Sequence, residues 1–155
     1  MKKKLIISIV CFVFIVFNSK QAKPDCEKDT LLLSKPKHSW GKPVKNSFGE
    51  LTFCTESSKY FKGNIVLKKL KPNHNYILTF NSKRGGSGGK NLPERYGNEY
   101  KWDFLQLSTD SEGNCKKKIK RRLNIDNYDI KFFVKDTDDW QIVLYTDFLN
   151  FEIIK

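Results

Sequence analysis

From residue 48 onward apolar residues recur at every second position, and no stretch repeats at the spacing of an amphipathic helix. Tyr128, Ile130, Phe132 and Val134 fall on one side, with Asp129 and Lys131 opposite. Tyr76, Leu78 and Phe80 share a face, as do Trp140, Ile142 and Leu144, and Leu149, Phe151 and Ile153. Side chains alternate across a strand, so these stretches specify strands with one face in a core. Leu51–Thr55, Asn64–Leu70 and Trp102–Leu107 add shorter candidates. Between Leu144 and Leu149 the parity slips by one, which means a bulge or two separate strands meeting there. Pro72-Asn73, Gly113-Asn114 and Asp126-Asn127 carry turn chemistry, and Asp110–Asn114 reads as a hairpin between the Trp102 and Cys115 strands. Short strands joined by turns predict an antiparallel sandwich of about seven or eight strands over residues 48–155.

One local pattern sharpens the expectation. Leu70-Lys71-Pro72-Asn73-His74-Asn75-Tyr76 has the form L-x-P-x-x-x-Y between two strands. It resembles the tyrosine corner of immunoglobulin-like and fibronectin type III sandwiches. A looser version without the proline runs from Leu123 to Tyr128. The resemblance implies an all-β, antiparallel immunoglobulin-like sandwich in which the tyrosine hydroxyl bonds to backbone a few residues upstream. It implies fold alone, not function. Gly63–Phe80 also resembles a strand pair of the copper/zinc superoxide dismutase sandwich. That family needs a His-x-His pair after the proline. Here Tyr76-Ile77-Leu78-Thr79 stands there, His74 is alone, and the whole chain holds two His. No metal or other cofactor is expected.

The first 22 residues read as an export leader. Lys2, Lys3 and Lys4 precede an apolar run from Leu5 to Phe17, broken only by Ser8 and too short for an ordinary spanning helix. The cleavage region is poor, because Lys20 falls where a small residue is wanted, and an uncleaved anchor is the alternative. The leader holds four Lys and no acid. The remaining 133 residues therefore carry 25 basic and 17 acidic residues, a net charge of +8 against +12 for the full chain. Residues 23–47 read as a loosely ordered lead-in to which Leu31–Leu33 could add an edge strand. Export implies a compartment that permits disulfides. Cys26, Cys54 and Cys115 allow at most one internal bridge, and all three pairings stay open, as does the state with three free thiols.

The densest chemistry is Lys116–Arg122, KKKIKRR. On a strand, Lys116, Lys118, Lys120 and Arg122 project to one face as a basic stripe about 20 Å long. Such a stripe suits an anionic polymer, or simply blunts a solvated sheet edge. Arg84-Gly85-Gly86-Ser87-Gly88-Gly89-Lys90 lacks the order of a phosphate-binding loop. It reads as a surface loop within 81–100, whose Arg84, Lys90, Arg95 and Tyr96 are recognition candidates. Asp136, Asp138 and Asp139 could hold calcium but lack the order of an EF-hand loop. An acidic turn pairing with Lys131 or Lys135 is the simpler reading. Trp40, Trp102 and Trp140 could form a sugar-stacking platform, although Trp102 and Trp140 are expected in the core.

No nucleophile, base or paired-carboxylate motif stands out, so no enzyme is expected. The expected function is a secreted or envelope-associated, non-catalytic binding module. Its partner is an unknown protein or an anionic polysaccharide. Nucleic acid is disfavoured, since no base-stacking motif flanks the basic run, and no membrane span is expected beyond the leader. The alternatives are an exported hydrolase inhibitor acting through the Gly-rich loop and a carbohydrate-binding module using exposed Trp.

Overall fold

A computed structural model of the protein describes residues 26–82, 95–96, 99–100 and 104–155. The strands begin with β1 (Lys28–Leu33), β2 (Phe48–Cys54), β3 (Glu56–Ser58) and β4 (Tyr60–Lys68). Then come β5 (Asn75–Ser82), β6 (Arg95–Tyr96), β7 (Glu99–Tyr100) and β8 (Leu105–Ser108). The last four are β9 (Cys115–Arg122), β10 (Asp126–Asp136), β11 (Ile142–Tyr145) and β12 (Leu149–Ile154). No helix occurs among the described residues. The first sheet has the order β1-β2-β4-β9; the second has the order β3-β12-β10-β5-β8, with β11 also on β10. β6 and β7 pair with each other. β3 runs parallel to β12, and the other pairings are antiparallel. The proposed leader, Arg84, Lys90 and the rest of the Gly-rich loop, and Trp102 lie outside the described residues.

The alternation read from the sequence does build the core. Leu51, Phe53, Phe61, Ile65 and Leu67 of the first sheet are buried. So are Tyr76, Leu78, Phe80, Tyr128, Ile130, Phe132, Phe151 and Ile153 of the second. Phe61 is the hub. Its ring centroid lies 5.6 Å from Phe132, 4.8 Å from Phe151, 5.7 Å from Phe104 and 6.2 Å from Phe53. Phe61 thus joins Phe53 of its own sheet to Phe132 and Phe151 of the second, an arrangement compatible with a β-sandwich. Truncating such a ring to alanine costs about 3–5 kcal/mol.

Both tyrosine corners are formed. The Tyr76 hydroxyl accepts the Lys71 N–H at 3.0 Å, and the Tyr128 hydroxyl donates to the Asn124 carbonyl at 2.8 Å. Each sits where the chain leaves the first sheet for the second. The parity slip resolves as two strands. β12 pairs with Asp126–Ile130 of β10 and β11 with Phe133–Lys135, end to end along the same side.

Two expectations need correction. Asp110–Asn114 is not a hairpin: β8 pairs with β5 and β9 with β4, so this turn carries the chain between sheets. Turn residues report a reversal, not which strands it joins. Trp140 is 54% exposed, in the β10–β11 turn at a φ of 60°, instead of in the core. The edge strand allowed for at Leu31–Leu33 is present and longer, running from Lys28 to Leu33 on β2.

Gly113 ends the inter-sheet turn at a φ of 77°, and its carbonyl accepts the Leu70 N–H at 3.0 Å. A Cβ there would collide with the Leu70 carbonyl. Gly113→Ala combines a left-handed backbone with that collision, so it is expected to cost about 2–3 kcal/mol. Urea denaturation checks this, and an unchanged midpoint would show that the turn is not seated on the corner.

Candidate anion-binding face

β9 is an edge strand among the described residues, paired on one side to β4. Cys115 and Ile119 are buried, while Lys116, Lys118, Lys120 and Arg122 are exposed. The predicted stripe therefore lies on the outer face of the first sheet. Register then adds what the sequence did not show. Lys120 stands directly opposite Lys62 of β4, Lys118 opposite Asn64, and Asn64 opposite Thr52 of β2. Lys28 of β1 is the partner of Cys54. Lys28, Lys62, Lys118 and Lys120 line a concavity of about 470 Å³, with Thr52 and Asn64 between them.

Among the described residues no carboxylate pairs with any of these four lysines. Like charges directly opposed on neighbouring strands are destabilising, and no carboxylate among the described residues offsets the Lys62–Lys120 pair. The Lys120 ammonium lies 4.8 Å from the Tyr60 ring centroid, a contact that orders it without neutralising it. A concave surface with uncompensated ammonium groups and hydroxyl and amide groups between them can hold sulfate, phosphate or carboxylate groups of a ligand.

Of the sequence candidates, the structure brings Lys116, Lys118, Lys120 and Arg122 together. Arg95 and Tyr96 form β6, whose backbone partners are Glu99 and Tyr100. Lys28 and Lys62 were missed because Lys28 stands between Glu27 and Asp29, and Lys62 between Phe61 and Gly63, so neither belongs to a basic run. Only strand register, a non-local property, brings them to the stripe.

The open cysteine pairing closes as Cys26–Cys54, with Cα atoms 5.7 Å apart. Cys115 is free and buried. Burial raises its thiol above the ordinary range, outweighing the hydrogen bond from the Ser108 backbone and the charge of Lys117. It is therefore a core residue with little thiolate.

The acidic turn is organised differently from the expectation. Asp136 is 1% exposed. Its carboxylate lies 2.6 Å from the Lys71 ammonium, 2.7 Å from His74 Nε2 and 3.0 Å from the Asp138 N–H. Asp139 pairs with Lys42 at 3.2 Å. The partners are thus Lys71, His74 and Lys42, not Lys131 or Lys135. His74, Asp136 and Asp138 are close enough to share a cation, but the Lys71 ammonium already occupies the Asp136 carboxylate, and Asp139 is engaged elsewhere. The cluster reads as a structural lock on the first tyrosine corner.

Compared with protein-family models, with curated proteins and with solved structures, the chain matches none of them. The face itself therefore carries the functional argument.

Three outcomes follow. Burial alone would raise the Asp136 carboxyl, but the bonds from Lys71, Asp138 and His74 overcome it and hold the group at about 2, below its ordinary 3.8. The unfolded chain then takes up this proton first as pH falls. The lock contributes about 2 kcal/mol above pH ~5, and this is lost as pH falls towards 2. Urea midpoints between pH 5 and 2 should fall more steeply in the native protein than in Asp136→Asn; parallel profiles would show the carboxylate is not ionised in the lock. Second, alkylation mapped by mass spectrometry should leave Cys115 unmodified until the protein unfolds. Reducing Cys26–Cys54, whose loop spans a separation of 28, should lower stability by about 3 kcal/mol.

Proposed function

We propose that this protein is an exported, non-catalytic binding domain that holds anionic polysaccharide on the lysine face of its first sheet. In this reading residues 1–22 are the leader, and the Cys26–Cys54 bridge reflects an oxidising compartment. The two sheets with their paired tyrosine corners make a sandwich of immunoglobulin-like type. The observation that carries the proposal is the Lys62–Lys120 pair, opposed across β4 and β9 and flanked by Lys28 and Lys118 without a carboxylate partner. An anionic ligand relieves that repulsion. Strand geometry repeats the charges on β9 about every 6.7 Å, which suits a repeating polymer better than a single small anion. Lysine supplies point charge and tolerates variable spacing, where arginine would impose a bidentate geometry.

Retention on immobilised heparin tests this. It should fall with salt, because exposed charges are screened beyond about 10 Å at 0.1 M. Lys118→Glu with Lys120→Glu should weaken binding about tenfold. Lys62→Glu should weaken it as well, although it lies more than fifty residues from the basic run in sequence. Retention unchanged by all three reversals would sink the proposal.

A further inference from the structure

The edge of the second sheet carries a group of rings with no part in the lysine face. Trp40 is 41% exposed and Phe148 38%. The Trp40 ring lies edge-on to Tyr145, with centroids 4.9 Å apart. The Lys131 ammonium lies 5.1 Å from the Tyr145 centroid and 4.9 Å from the Phe148 centroid. Core residues of β10 alternate from Tyr128 to Val134, so Lys131 projects to the outer side.

The loop presenting Trp40 is fastened at both ends to β11. Ser34 and Tyr145 exchange backbone bonds of 2.7 and 2.9 Å, and the Lys42 N–H reaches the Ile142 carbonyl at 2.8 Å. A Cβ on Gly41 would strike that carbonyl and Pro36, so glycine lets the loop lie flat on the strand. The Lys42–Asp139 ion pair adds a third tie. A large ring is thus held half in water by a loop anchored on both sides of it.

We infer that Trp40, Tyr145, Phe148 and Lys131 form a second binding site, for the pyranose ring of an acidic sugar. The apolar face of such a ring stacks on an aromatic side chain, and its carboxylate meets the ammonium of Lys131. Among the described residues no carboxylate pairs with Lys131. Lys35 and Lys37 are exposed in the same loop, and Asp147 is exposed beside Phe148, so the basic groups outnumber this carboxylate. The group is small and rimmed by charge, whereas a stable protein interface needs about 600–1,000 Å² from each partner. The site lies on the other sheet from the lysine face and does not depend on it.

The chain holds three Trp, so Trp40→Phe assigns the Trp40 indole N–H resonance. That resonance is followed while an oligomer of galacturonic acid is added, with a neutral galactose oligomer and inorganic polyphosphate as comparisons. The acidic oligomer should shift it, and the neutral oligomer should bind about tenfold more weakly. With affinity read by titration calorimetry in the Lys118→Glu, Lys120→Glu background, Trp40→Ala should lose about tenfold, Trp40→Tyr should recover most of it, and Lys131→Gln should bring the acidic oligomer down to the neutral one. Lys118→Glu with Lys120→Glu should leave the shift intact, which separates this site from the lysine face. An unmoved Trp40 resonance, an equal response to polyphosphate, or full affinity in both Trp40→Ala and Lys131→Gln would overturn the inference.

Discussion

A buried carboxylate fastens one end of this molecule. Asp136, on the last residue of β10, draws in Lys71 and His74 from the first tyrosine corner and the backbone of its own turn. The same corner receives the inter-sheet turn. Leu70 bonds to Gly113, Asn73 to Asp110, and Thr109 to His74 and to the Lys71 carbonyl. Three segments distant in sequence therefore meet around one charge. A buried ion tolerates this only when every partner is present, and removal of one leaves an uncompensated charge costing about 3–5 kcal/mol. The arrangement adds directional bonds to a core otherwise held by packing of aliphatic and aromatic side chains.

That division of labour leaves the outer faces free. Phe61 and its neighbours hold the sheets together from inside. The outer side of the first sheet can then carry opposed lysines, and the rim of the second can carry half-exposed rings. Neither feature would survive on a face needed for packing. Each is a local expense supported by a core built elsewhere.

Much of the architecture was legible because its causes are local. The period of two gave the inward faces of β5, β10 and β12, and Leu70–Tyr76 announced a sheet-to-sheet crossing whose hydroxyl bond is present. What was not legible depends on distant partners. Asp110–Asn114 has the chemistry of any tight turn, so only the pairing of β8 with β5 shows that it spans two sheets. Trp140 has the parity of a core residue, but it falls on the positive-φ position that closes the acidic turn. β3 is three residues without apolar alternation and exists because β12 offers it a parallel edge. The same limit governs the site. KKKIKRR is visible at once, whereas Lys28 and Lys62 join it only through register, and Tyr145 and Phe148 meet Lys131 only because β11 lies along β10.

The Cys26–Cys54 bridge has a mechanical meaning. β1, the Trp40 loop and most of β2 lie inside the covalent ring it closes. Tension applied to the chain before Cys26 passes through the sulfurs directly into the end of β2, bypassing everything between. The pinned tryptophan and the Lys28 edge of the lysine face would keep their geometry while a tether upstream is under load, for as long as the bridge remains oxidised.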